Sequence, residues 1–238
     1  LCMVECASTQ AQEKSSFDIW VKGGMVLDGS GAPATRADLF INGNHISFIG
    51  HLKRPFSAKD TLHASGKIVS PGFIDSHAHG LPFETPNFKN FTSMGVTTIA
   101  LGQDGSSPNI SDVRKLIENM DTLQLGPNIT LFIGHGTIRK LSGIGFKRDP
   151  SEDEIQKMCN LLAEGMSAGA FGMTTGLEYT PGRYANQNEL DALAKVVGQY
   201  DGLIMSHMRT ENNATMESDL AELFSQGKYA NIQVSHMK

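Results

Sequence analysis

The sequence predicts an α/β protein: a (β/α)8 barrel, truncated after about six strands, with a small N-terminal β-sandwich part. Three observations lead there. From Ile68 onward, strand-like and helix-like runs alternate, the pattern of parallel strands joined by helices. These strands end in polar residues, where a barrel keeps its catalytic groups. No G-x-G-x-x-G follows a first strand, so the phosphate-binding turn of a doubly wound sheet, the structural rival, is missing.

Taken in order, residues 1–16, LCMVECASTQAQEKSS, begin apolar and turn small and polar. They read as a disordered tail or as a signal-peptide remnant. A signal remnant implies a periplasmic or secreted protein, and a simple tail a cytoplasmic one. Residues 17–69 read as part of a small β domain. FDIWVKGGMVLDGSG suggests two strands around a Gly-Gly turn, and ADLFINGNHISFIG a hairpin around Gly43-Asn44. DTLHASGKIVS suggests a further short strand pair.

Residues 70–238 form the barrel part. KIVSPGFIDSHAHG reads as a buried strand with a polar end, and VTTIALGQDGSS as a second. SDVRKLIENMDTL is a helix with Ser111 as N-cap. NITLFIGHGTIR is a third strand. SEDEIQKMCNLLAEGMSAG is an amphipathic helix, with Ser151 and Glu154 spaced for a capping box. AFGMTTGLEY, GLIMSHMRTE and NIQVSHMK complete six strands, with helices over NQNELDALAKVVGQY and TMESDLAELFSQGK. Six units over residues 68–238 give about 28 residues each, whereas a complete barrel needs roughly 250. The chain therefore reads as part of a longer enzyme.

Composition narrows the function classes. Lys plus Arg total 20 against 25 acids, a net charge of −5 without long basic runs, which argues against nucleic acid as a partner. No apolar run is long enough to span a membrane. Cys2, Cys6 and Cys159 form no C-x-x-C pair, so a cysteine zinc ribbon is excluded. Cys159 reads as a small buried hydrophobe within its helix.

The histidines carry the chemistry. His77 and His79 form H-A-H at the end of the first barrel strand, on one face of the chain, where both imidazoles reach one metal. His207 and His236 end strands five and six in SHMR and SHMK. Their separation of 29 residues is about one βα repeat and predicts equivalent heights on neighbouring strands. One such histidine reads as a hydrogen-bonded structural residue; four at one barrel mouth read as a metal centre. Asp104, between glycines in GQDGSS, is either a turn former or a metal ligand, and Glu178 is a second acid at the mouth. His135, in GHGTIR, reads as a residue that hydrogen-bonds behind the metal ligands. His45, His51 and His63 read as ordinary surface or turn residues.

PGFIDSHAHG, with strand-end His207 and His236, resembles the amidohydrolase superfamily. Together with GVTTIALGQDGSS, GHGTIR, TGLEYTPGRYA, SHMRTE and QVSHMK, it resembles the N-acyl-D-amino-acid deacylases (D-aminoacylases). The resemblance covers about residues 17–238. It implies a metal-dependent hydrolase of N-acyl-D-amino acids, with a small-molecule substrate and one or two Zn2+ ions. The implied metal residues are His77, His79, Asp104, His207 and His236. Lys238 and Tyr179 are implied at the substrate, Lys238 near its carboxylate. One departure stands out: many family members carry a bridging Cys where this chain has Asp104, a harder ligand that shifts metal preference. The family's general base is an Asp at the end of strand eight, expected downstream of Lys238. Two alternatives remain. Dihydroorotase-like or isoaspartyl-dipeptidase-like hydrolases often use a carboxylated Lys after strand four, where this chain has Gly176-Leu177-Glu178. The other is a non-catalytic, metal-binding truncated chain. Oligomeric state is not legible.

Overall fold

The computed structural model describes residues 15–108 and 112–237, which fall into two compact units, Leu1–Pro71 and Gly72–Lys238. The tail reading for residues 1–16 lies almost wholly outside the described residues.

The first unit is a mixed five-stranded sheet of β1 (Ser15–Val26), β2 (Thr35–Asn42), β3 (His45–Gly50), β4 (Phe56–His63) and β5 (Ile68–Val69). The expected Gly-Gly turn is absent: β1 runs through Gly23-Gly24 as one strand with a bulge against β2. Gly23 takes φ +71, and its N–H donates to the Asp38 carboxylate at 2.7 Å. Glycine there absorbs an extra residue without ending the ladder. The β2–β3 hairpin forms around Gly43 as expected. β4 and β5 each pair with β1 in parallel rather than with one another. Phe40 is fully buried among the rings of Phe17, Trp20, Phe48 and Phe56.

In the second unit, strands alternate with helices in the order β6 (Phe73–Asp75), α1 (Lys89–Thr92), β7 (Val96–Leu101), α2 (Val113–Asp121), β8 (Asn128–Gly134), α3 (His135–Leu141), α4 (Glu152–Ser167), β9 (Gly172–Gly176), α5 (Gln187–Gln199), β10 (Leu203–His207), α6 (Met216–Gln226) and β11 (Asn231–Val234). The six strands form one parallel sheet in the order β11-β10-β9-β8-β7-β6. Spatial order follows chain order with no reversal. A doubly wound sheet must reverse at a switch point, so this winding is that of a (β/α) barrel. Every strand points its C-terminal end the same way, which gathers the strand-end residues on one rim.

The main core lies between the strands and their covering helices. Met158 and Leu162 of α4, Leu193 and Val197 of α5 and Leu223 of α6 pack with Ile133, Met173 and Ile204 from β8, β9 and β10. Ser151 and Glu154 form the expected capping box at the start of α4. Cys159 is buried in this core, and burial pushes its thiol pKa up, as expected of an inert hydrophobe.

Three further sequence expectations need correction. KIVSPGFID is not one buried strand: β5 belongs to the first sheet, and β6 is three residues long at an edge, with Ile74 exposed. Between them lies Pro71, which has no N–H to offer a ladder. The third barrel strand stops at Gly134, and HGTIRKL continues as α3. The N-cap of α2 is Asp112, whose side chain accepts from the Lys115 N–H at 3.0 Å; Ser111 lies outside the described residues.

Candidate metal centre

The loop after β7 sets the site. Asp104 adopts the left-handed backbone region at φ 53, flanked by Gly102 at φ +88 and Gly105 at φ +72. Asp is one of the few side-chain-bearing residues that tolerate this region. A Cβ on Gly102 would stand 2.1 Å from the Phe132 carbonyl oxygen, so β8 can approach only a glycine there. Thr174 of β9 holds the loop on both sides of Asp104. Its hydroxyl accepts from the Gly105 N–H at 3.1 Å and donates to the Gly102 carbonyl. Gln103, also buried, donates to the carbonyls of Ser76 and Ala100, tying this loop to the residue before His77.

Around the Asp104 carboxylate stand four imidazoles. His79 Nε2 lies 3.1 Å and His77 Nε2 3.4 Å from Oδ2. His207 Nδ1 lies 3.5 Å and His236 Nε2 4.0 Å from Oδ1. The His77 and His236 rings are 5.3 Å apart, and those of His207 and His236 4.6 Å. One metal-capable set is His77, Asp104 and His236; a second is His207, Glu211 and His236, each with ligand atoms within 4.8 Å of one another.

The expected equal height of His207 and His236 needs a correction of one residue. The ladder pairs Ser206 with Val234, so His207 is level with Ser235 and His236 lies one step beyond. The Ser235 N–H still donates to the Ser206 carbonyl at 2.9 Å, and the two rings meet with centroids 4.6 Å apart.

The electrostatics suit a cation. Asp104 Oδ1 and His207 Nδ1, 3.5 Å apart, are buried without a hydrogen-bond partner. Buried polar atoms in that state are costly, and a cation among them satisfies the carboxylate and imidazole lone pairs. Burial lowers the pKa of His77; Asp104 opposes this, and the neighbouring imidazoles of His79 and His236 reinforce it. His77 is therefore held neutral, the form that binds a metal. The donor set, four imidazole nitrogens and a carboxylate, fits zinc.

No protein-family model matches the chain. Individual relatives do. It is 35% identical over 239 residues to N-acyl-D-glutamate deacylase of Alcaligenes xylosoxydans xylosoxydans, covering 91% of this chain and 48% of that one. The crystal structure of N-acyl-D-glutamate deacylase from Bordetella bronchiseptica, in complex with zinc and a phosphonate inhibitor, superposes with a TM-score of 0.81 at 32% identity, over 92% of this chain and 51% of that one. A D-aminoacylase crystal structure gives 0.87 at 28% identity, over 93% and 52%. The chain belongs to the N-acyl-D-amino-acid deacylase family. It spans about half the length of the curated relatives it matches.

A cavity of about 740 Å³ opens beside the centre, lined by His79, Asp104 and Tyr179 together with apolar Leu81, Phe83 and Leu101. Tyr179 is exposed at its rim, with its ring centroid 4.5 Å from that of His207. Lys238 lies outside the described residues. Glu178 accepts from His207 Nε2 at 2.8 Å.

His135 departs from expectation. It opens α3, is fully buried and bonds Glu189 at 2.6 Å instead of any of the four histidines. Glu189 also takes both oxygens to Arg139 Nη1, at 2.6 and 2.7 Å. The sequence reading missed this buried cluster, because GHGTIR resembles a strand end when read locally. It also missed Glu211, which accepts from His236 Nδ1 at 2.5 Å. Its signal was an acid four residues beyond His207 in SHMRTE.

Proposed function

We propose that this chain carries the metal-binding part of a hydrolase that cleaves the amide bond of N-acyl-D-amino acids, releasing a carboxylic acid and a free D-amino acid. The convergence of four strand-end imidazoles on the Asp104 carboxylate carries the reading. Family membership and the zinc of the Bordetella bronchiseptica relative support it. Zinc bound here supplies Lewis-acid polarisation of the amide carbonyl and a water made acidic enough to attack it at neutral pH.

The chain's own residues have the remaining roles. His77, His79, His207 and His236 would hold one or two ions together with Asp104. Its oxygen replaces the thiolate of many family members and suits harder ions. The apolar cavity beside Asp104 takes the acyl or side-chain arm of the substrate and keeps water from it. Tyr179 closes the rim over His207. Lys238 attracts the substrate carboxylate as a point charge. The acid–base carboxylate would be the family's strand-eight Asp, which takes the proton of the attacking water and passes it to the leaving amine. Amidohydrolases that rely on a carboxylated Lys after strand four are disfavoured, because β9 ends in Gly176 and Leu177-Glu178 follow it.

The test is turnover by the full-length, zinc-loaded protein of N-acyl-D- against N-acyl-L-amino acids. Release of D-amino acids only is expected, lost on chelation and in His207→Ala and His236→Ala. Full activity in those two variants, or turnover confined to L-substrates, would overturn the reading.

A further inference from the structure

Two of the four imidazoles are held at both ring nitrogens. His207 directs Nδ1 toward Asp104 at 3.5 Å while its Nε2 meets Glu178 Oε2 at 2.8 Å. His236 directs Nε2 toward Asp104 at 4.0 Å while its Nδ1 meets Glu211 Oε1 at 2.5 Å. We propose that Glu178 and Glu211 are positioning residues that fix the tautomer of these two rings, so that His207 binds the metal through Nδ1 and His236 through Nε2. The inference rests on the metal reading above.

A neutral imidazole has one N–H and one lone pair, and an ionised carboxylate can only accept. Each glutamate therefore keeps the proton on the nitrogen it faces and leaves the other lone pair toward Asp104. Negative charge behind a ligating ring also makes its free nitrogen a stronger donor. The opposite nitrogens follow from the strand register. His236 lies one step beyond the level of His207 and reaches back with its more distant nitrogen. Rotation is blocked as well: His207 is fully buried, with Tyr179 and His236 packed against its ring. The other pair lacks this device on one member at least, for His77 Nδ1 is buried without a hydrogen-bond partner.

Zinc affinity of the full-length protein, measured by chelator competition, tests this in Glu178→Ala, Glu211→Ala and the matching Gln variants. The visible spectrum of the cobalt(II) form gives a second readout of ligand geometry. Each Ala variant is expected to bind zinc roughly 10–100-fold more weakly, with altered cobalt bands. Each Gln variant, which still accepts through Oε1, is expected to recover most of the affinity. Half-exposed Glu178 makes its Ala variant a safe folding control, checked by melting without metal. Wild-type affinity and an unchanged spectrum in both Ala variants would overturn the inference, as would Gln variants as weak as Ala. A wild-type protein that binds no zinc would overturn the metal reading too; a wild-type binder with unaffected Ala variants overturns this inference alone.

Discussion

Asp104 combines an unfavourable backbone with a central position. At φ 53 it occupies a region costly to most residues, and its carboxylate is the point on which all four imidazoles converge. Strain at such a place persists because its surroundings over-determine it: Thr174 grips the loop, and β8 abuts Gly102. Asn tolerates the same backbone and has the same size. Asp104→Asn is therefore expected to change unfolding free energy by less than about 0.5 kcal/mol, while zinc affinity falls at least about tenfold for loss of the anionic ligand. Thermal melting of the metal-free protein and zinc titration read the two effects separately. The histidines were legible in the sequence because two-residue spacing on a strand and recurrence at strand ends need no tertiary detail. Glu178 was legible as an acid at the mouth, but its bond to His207, the backbone of Asp104 and the part of Glu211 at His236 were not, since loop geometry decides them.

Helix α3 was missed for a related reason. Thr137 and Ile138 suit a strand, and only tertiary pairing shows that Arg139 points into the core. There it bonds Glu189 of α5 and the carbonyls of Gly145 and Lys147, joining two helices and the loop between α3 and α4. A buried ion pair adds little over an apolar pair, but losing one partner strands a charge. Glu189→Gln is expected to lower unfolding free energy by about 3–5 kcal/mol, read by urea denaturation. The start of helix α4, by contrast, was readable to the residue, because it is local chemistry. The Lys147 ammonium and the Ser151 N–H hold the Glu154 carboxyl down to about 2 from its ordinary 4.5. A depressed acid stabilises the fold fully above its unfolded pKa and loses that contribution as pH falls toward its folded value. The melting-temperature gap between wild type and Glu154→Gln is thus expected to be steady above about pH 4.5 and to close toward pH 2. A gap that widens in acid would contradict the assignment.

Across the whole molecule, winding determines where chemistry can occur. Six parallel strands in unbroken chain order bring His77, Asp104, His207 and His236 to one rim, though more than 150 residues separate the first from the last. The alternation from Ile68 made that winding legible, as did the missing glycine fingerprint. The junction at Pro71 and the bulge in β1 were misread because Gly and Pro punctuate turns and bulges alike until partner strands are known. The described residues contain no helix long and apolar enough to cross a membrane. The most direct measurement is zinc K-edge X-ray absorption on the zinc-loaded full-length protein. Imidazole scattering with nitrogen and oxygen donors at about 2.0–2.2 Å and no sulfur shell is expected, because the proposed donors are four imidazoles and the Asp104 carboxylate. A sulfur shell near 2.3 Å, or a spectrum without imidazole, would contradict a metal centre built from these histidines and Asp104.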